Sequence, residues 1–264
     1  EDPVVNITSP LTTTHVMGNA VVINATATDN NAVSNVQFFY GATSIGTDAT
    51  FPYSVSWDTT SVSDGDYTLS AVATDPSSNS ATDADTTVRV DNTPPALGIS
   101  APSVTYAKNG ATVTYTVTYT ETNLNSITLG IGDITLNTTG TAAATVDSVT
   151  VTGPLTRLVT LTAGAGNGTV GISIFAGTAS DIAGNTAPAA GPSATFTVDN
   201  IQPDVVISTL AADPTNLSPF MVTFTFSENV TGFALGDIVV GNGSASLFTA
   251  VSGTTYTAWI TPSA

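Results

Sequence analysis

The residues of this chain best suited to chemistry are carboxylates and carboxamides that recur at matching places in a long internal repeat. One set is Asp91, Asn92, Glu121, Asp133 and Asp181. A second is Asp199, Asn200, Glu228 and Asp237, and a third is Asp2, Asp29 and Asp75. Carboxylates that converge repel one another unless a cation sits among them. Calcium takes about six to eight oxygen ligands in flexible geometry, from carboxylates, amides and carbonyls alike. Calcium is therefore the expected cofactor at each set. The spacing matches no EF-hand loop, so the expectation rests on position alone. The competing expectation is that Asp and Asn cap turns through side-chain hydrogen bonds to the backbone.

Other chemistry is poorly supplied. His15 is the single histidine, placed in Thr13-Thr14-His15-Val16 at a turn between the first two strands. A Ser-His-Asp triad needs an imidazole base, and no Gly-x-Ser-x-Gly elbow is present. Paired carboxylates can hydrolyse a glycosidic bond, but here they gather at domain ends and not in a groove. Trp57 and Trp259 could stack on a sugar, yet each lies in an alternating strand, which favours a core role. No catalytic residue is expected and the chain reads as a non-enzyme. There is no cysteine, hence no thiolate metal site. Three basic residues, Arg89, Lys108 and Arg157, face 20 acidic ones, for a net charge of −17. Such a surface repels nucleic acid and anionic membranes. No apolar run reaches the roughly 18 residues of a membrane-spanning helix.

The elements that must position these acids are strands. Thr, Val and Ile alternate with period two, as in Thr112-Val113-Thr114-Tyr115-Thr116-Val117-Thr118-Tyr119 and Met221-Val222-Thr223-Phe224-Thr225-Phe226. Turn residues interrupt such runs every ~8–12 residues, the rhythm of an antiparallel sandwich. The phrase Val88-Arg89-Val90-Asp91-Asn92 returns as Phe196-Thr197-Val198-Asp199-Asn200. A period near a hundred residues is a whole small domain, about 100–150 residues being usual. The expected organisation is all-β, with sandwiches at 1–93, 94–201 and 202–264, the last lacking its final two strands. Asp237–Val240 is read as a strand of the third. In such a sandwich the loop after the second strand and the loop before the last return to the pole where the chain enters. That construction brings Glu121, Asp133 and Asp181 toward the hinge at Asp91 and Asn92.

These residues resemble the bacterial immunoglobulin-like repeats of large surface adhesins and secreted multidomain proteins. In the first domain the likeness is carried by Ala27-Thr28-Asp29, Val36-Gln37-Phe38-Phe39-Tyr40, Trp57-Asp58, Asp64-Gly65-Asp66-Tyr67 and Ala73-Thr74-Asp75. In the third it is carried by Phe226-Ser227-Glu228-Asn229-Val230 and Gly236-Asp237-Ile238. The second matches through Gly132-Asp133-Ile134 and Asp181-Ile182-Ala183-Gly184-Asn185. Asp75-Pro76-Ser77-Ser78-Asn79 departs from the last pattern by lacking glycine. The resemblance implies tandem immunoglobulin-like sandwiches end to end, an extracellular location, and calcium that stiffens the junctions. The implied function is a stalk or fibre segment, read as an excerpt of a longer array, whose partners are neighbouring repeats or a cell-surface ligand or glycan. The alternatives are a filament of identical subunits, in which a neighbour's strand completes the third domain, and a carbohydrate-binding accessory of a secreted hydrolase.

Overall fold

A computed structural model of the chain describes residues 1–213 and 215–263. Its regular structure is strands and three single-turn 3-10 segments, and no described helix is long and apolar enough to cross a membrane. The chain divides into a first compact unit, Glu1–Asp199, and a second that begins at Asn200.

The first unit holds two sandwiches with separate cores. In module one, the strands Val4–Ser9, Val21–Thr28 and Tyr53–Trp57 form one sheet in that order. The facing sheet runs His15–Val16, Thr86–Val90, Gly65–Thr74, Asn35–Tyr40 and Thr43–Asp48. Because side chains alternate across a strand, Val21–Thr28 sends Ile23, Ala25 and Ala27 inward and the polar residues out. Val36, Phe38, Leu69, Ala71, Ala73, Val88 and Val90 meet them with no exposed surface. Trp57 is 3% exposed; it stacks on Tyr40 with ring centroids 5.2 Å apart and meets Tyr67 edge-on. Its indole is core, which removes it from any sugar platform. His15 lies on a short strand parallel to Thr86–Val90, and not in a turn. Its Nδ1 is shielded from solvent without a hydrogen-bond partner.

Module two repeats the plan. Ala96–Ile99, Thr112–Thr120, Thr156–Ala163 and Ala144–Gly153 form one sheet, and Tyr106–Ala107, Phe196–Val198, Gly168–Ile174 and Ile134–Thr138 the other. A short strand again runs parallel to the last one, here Tyr106–Ala107 beside Phe196–Val198. Val113, Tyr115, Val117 and Tyr119 are buried while the intervening threonines face out. Burying a phenol requires a partner for its hydroxyl. Tyr119 Oη donates to Thr178 Oγ1 at 2.8 Å and Tyr115 Oη to the carbonyl of Ala194 at 3.0 Å. A two-stranded pairing of Leu124–Ile127 with Ala179–Asp181 brings the loops on either side of it together.

The described residues of the second unit form a single sheet, Val205–Thr209, Phe220–Phe226, Thr255–Pro262 and Gly243–Ala250. Its core is built around Val222, Phe224, Tyr256, Ala258 and Ile260. The strand expected at Asp237–Val240 is absent: Leu235–Asp237 is a 3-10 turn, and residues 238–240 pair with no described strand. The matching residues of module two, Ile134–Thr138, form a strand by pairing with Gly168–Ile174, so it is the lack of a partner that leaves this segment outside the sheet. Val205 and Ile207 stand opposite Phe226 and Phe224, on the core face, yet are 46% and 62% exposed.

Candidate functional site at the module junction

Module one ends on Thr86–Val90, and Asp91 is the first residue of the connection. The Asp91 N–H donates to the carbonyl of Val16 at 3.0 Å, so the connection leaves module one already fixed. The side chain is 5% exposed. A carboxylate taken out of water must be met by donors. The donor for Asp91 Oδ2 is Asn123 Nδ2 of module two, at 3.0 Å. The Asp91 carbonyl accepts a second bond from module two, Asn185 Nδ2 at 2.8 Å. One residue of the linker is thus held through both its side chain and its main chain.

Each of the two amides is itself positioned by a carboxylate. Glu121 Oε1 accepts from the backbone N–H of Thr122 at 2.6 Å and of Asn123 at 3.0 Å, which sets the direction of Asn123 just after the strand Thr112–Thr120. Asp181, 1% exposed, closes a five-residue loop. Its Oδ1 accepts from Gly184 N–H at 2.7 Å and Asn185 N–H at 2.8 Å, and its Oδ2 from Asn185 Nδ2 at 2.7 Å. The Ile182 N–H donates to the carbonyl of Asn123 at 2.8 Å and joins the two loops. Gly184 has a φ of +103°, in the left-handed region open to glycine. A Cβ built there would lie 3.9 Å from Met17 Cε, so module one also approaches this loop through Met17.

Of the first expected set, Asp91, Glu121 and Asp181 therefore meet in one hydrogen-bonded neighbourhood. The other two members lie apart from it. Asn92 turns back into module one: its Oδ1 accepts from Gly18 N–H at 2.9 Å and its Nδ2 donates to the carbonyl of Thr59 at 3.0 Å. Asp133 caps its own 3-10 turn, accepting from Gly130 N–H at 2.8 Å. Among the described residues no three carboxylates or imidazoles stand close enough to hold a metal ion. The carboxylates of this set accept from N–H groups, the geometry of turn capping.

In the second set, Asp199 donates its N–H to the carbonyl of Ala107 within the first unit, beside Asn200, where the second begins. In the second unit, Asp237 Oδ2 accepts from Ala234 N–H at 2.9 Å, and Glu228 Oε1 is shielded with no hydrogen-bond partner. In the third set Asp2 is exposed, and Asp29 Oδ1 accepts from Asn31 N–H at 2.9 Å. Asp75, 7% exposed, closes the loop Asp75–Asn79 as Asp181 closes its own, accepting from Asn79 N–H at 2.8 Å and Asn79 Nδ2 at 2.7 Å. The working residues missing from the expected sets are the donors, Asn123 and Asn185. The signal that could have found them is that Glu121 and Asp29 are each followed by asparagine two positions on, and Asp181 and Asp75 four positions on.

A family model described as Bacterial Ig domain matches residues 3–71, and one described as Bacterial Ig-like domain matches residues 199–264, together just over half of the chain. No curated protein matches the sequence. Similar solved structures include the Escherichia coli adhesin FdeC, 17% identical, covering 99% of this chain and 88% of that one with a TM-score of 0.38. A 1.5-MDa bacterial ice-binding adhesin is 17% identical over 99% of this chain and 87% of that one, with a TM-score of 0.43. Fibronectin(III)-like modules of Clostridium thermocellum CbhA are 31% identical over 33% of this chain and 94% of theirs, with a TM-score of 0.31.

Two outcomes are expected from this geometry. Asp64 receives the Thr93 hydroxyl at 2.5 Å and the Asn92 N–H at 2.7 Å, and these bonds hold its carboxyl below the ordinary range. A carboxyl whose folded pKa is depressed adds stability that is present above its unfolded value of about 3.9 and lost as pH falls through the folded value. The urea midpoint should therefore fall on acidification below about pH 4, and Asp64→Asn should flatten part of that fall; an unchanged slope in the variant would contradict the assignment. Ser78 holds a φ of +70° where the equivalent loop of module two has Gly184. Left-handed backbone costs a residue with a Cβ roughly 1–2 kcal/mol, so Ser78→Gly should raise the thermal midpoint of module one.

Proposed function

Because this chain belongs to the bacterial immunoglobulin-like domains, we propose that it is a structural segment of an extracellular, multi-repeat surface protein, a stretch of adhesin stalk that sets distance and orientation. The observation that carries this reading is the hold on Asp91. A flexible linker would leave its polar groups to water; this one gives a buried carboxylate and a carbonyl to two amides of the next module. Net hydrogen bonds are worth about 1 kcal/mol each, and an orphaned buried partner costs about 1–3 kcal/mol. Bending at this hinge must break both bonds together.

A chain without cysteine accepts a single introduced pair of thiols. Spin labels at Thr47→Cys and Thr150→Cys, one in each module of the first unit, should give one narrow distance distribution, and Asp91→Ala should broaden it. A broad distribution in the labelled chain without that substitution would sink the stalk reading. The same experiment separates direct hydrogen bonding from a calcium clamp. The hydrogen-bonded junction has the same width and melting temperature in calcium and in chelator. A clamp would instead narrow and stabilise the junction in calcium alone, by roughly 2.7 kcal/mol at about 100 times the dissociation constant.

A second reading, a filament subunit completed by a neighbour's strand, is favoured by one feature, the exposure of Val205 and Ile207 on the core face of the second unit. Unpaired apolar sheet surface recruits strands from other chains. Sedimentation that rises with concentration and is abolished by Ile207→Asp would support it; a concentration-independent monomer would not.

A further inference from the structure

The pole of module two that receives Asp91 has a counterpart on module one, matched strand for strand. Val4 stands opposite Thr28 as Ala96 stands opposite Thr120. Directly after those threonines come Asp29 and Glu121, and each accepts the N–H of the asparagine two residues on, Asn31 at 2.9 Å and Asn123 at 3.0 Å. The loops Asp75–Asn79 and Asp181–Asn185 share two closing bonds: the aspartate N–H donates to the asparagine carbonyl at 3.0 and 3.1 Å, and Nδ2 returns to Oδ2 at 2.7 Å in both; they differ at Oδ1, which takes the Ser77 N–H in one and the Gly184 N–H in the other. The acid that sets each asparagine and the closed loop are thus both present around Asn31 and Asn79; the bond that ties the two loops in module two, Ile182 N–H to the Asn123 carbonyl, has no counterpart, because Pro76 stands at that place and has no N–H. Asn31 is exposed and Asn79 half-buried. Asp29 Oδ2, on the turn that carries Asn31, is shielded from water and has no hydrogen-bond partner.

We infer that this pole of module one is a docking site for the Asp-Asn tail of another immunoglobulin-like module, with Asn31 taking the aspartate carboxylate and Asn79 its main-chain carbonyl. The occupant is fixed by the repeat. Asp91 precedes Ala96, the first residue of its strand, by five positions, so an aspartate that docks in the same register must stand five positions before Val4. Two neutral amides select a carboxylate next to a carbonyl, and the geometry asks for a covalently joined tail, since the strand Val4–Ser9 starts at this pole as Ala96–Ile99 starts at the other. The inference rests on reading the chain as a structural array.

The test is a longer chain in which a second copy of residues 1–92 stands directly before Glu1, which places Asp91 of the added copy in register. Spin labels at Thr47→Cys in both copies report the new junction, and labels at Thr47→Cys and Thr150→Cys in the original chain report the natural one. A narrow peak at the new junction, lost when Asp91→Ala is made in the added copy alone, is the expected result. That variant leaves module one untouched, so folding of the Asp75–Asn79 loop is not at stake; Asn79→Ala should cause the same loss from the other side. A broad distribution at the new junction, indifferent to Asp91→Ala while the natural junction stays narrow, overturns this inference alone. Broad distributions at both overturn the structural reading with it.

Discussion

A carboxylate buried in a protein must find hydrogen-bond donors, and this chain has almost no cations to offer. Asp75, Asp83, Asp91 and Asp181 are all below 9% exposed, against three basic residues in the whole sequence. The donors are therefore backbone N–H groups and asparagine amides. Asp83 takes the Ile7 N–H at 2.6 Å and ties a loop to the first strand. Asp75 and Asp181 each close a loop on a following asparagine. The Asp91 carboxylate takes the Thr93 N–H at 3.4 Å and one amide of the next module, Asn123, while a second amide, Asn185, goes to its carbonyl. Hydrogen bonds from backbone N–H groups and asparagine amides to these acids shape the turns at the module ends and, at Asp91, reach from one module to the next.

The same logic explains why the two units differ. In the first, the inward face of each main sheet is covered by an opposing sheet, and residues such as Val36, Phe38, Val113 and Tyr115 reach zero exposure. In the second, the pattern Phe220–Phe226 is equally regular, but the described residues supply one sheet only. Aromatic contacts among Phe224, Phe226, Phe233 and Tyr256, with ring centroids 5.1–5.8 Å apart, cover part of the open face. Loop residues thus do work that strands do in the other modules.

The fold was legible because its signal is local. Period-two alternation places Val113, Tyr115, Val117 and Tyr119 in a core without knowledge of anything else, and a strand with Trp57 on its apolar face reads as core for the same reason. The site was half legible. Loop order brings Glu121 and Asp181 toward Asp91, but it does not say what neutralises them. Whether a carboxylate faces a metal or an N–H depends on distances of an ångström, and those are set by the closure of loops such as Asp181–Asn185. Asn92 was misplaced for a related reason. Its neighbour faces module two, yet one residue further along the chain the side chain points the opposite way and meets Gly18 and Thr59. The strand read at Asp237–Val240 has the right composition and lacks only a partner, which no local pattern records. Ser78 shows the converse: a missing glycine in the sequence is answered by a serine that adopts the same left-handed backbone.

The scarcity of cations has one further consequence. Among the described residues a single ion pair occurs, Arg89 with Asp66, and it lies exposed on the surface. The cores are apolar and the junction is closed by amides, so dissolved electrolyte finds little to weaken. The net charge of −17 meanwhile makes the molecule repel itself. Ions screen that repulsion over about 8–10 Å at ordinary strengths. Brine, which loosens proteins held by surface ion pairs, would leave this one at least as firmly assembled as fresh water does.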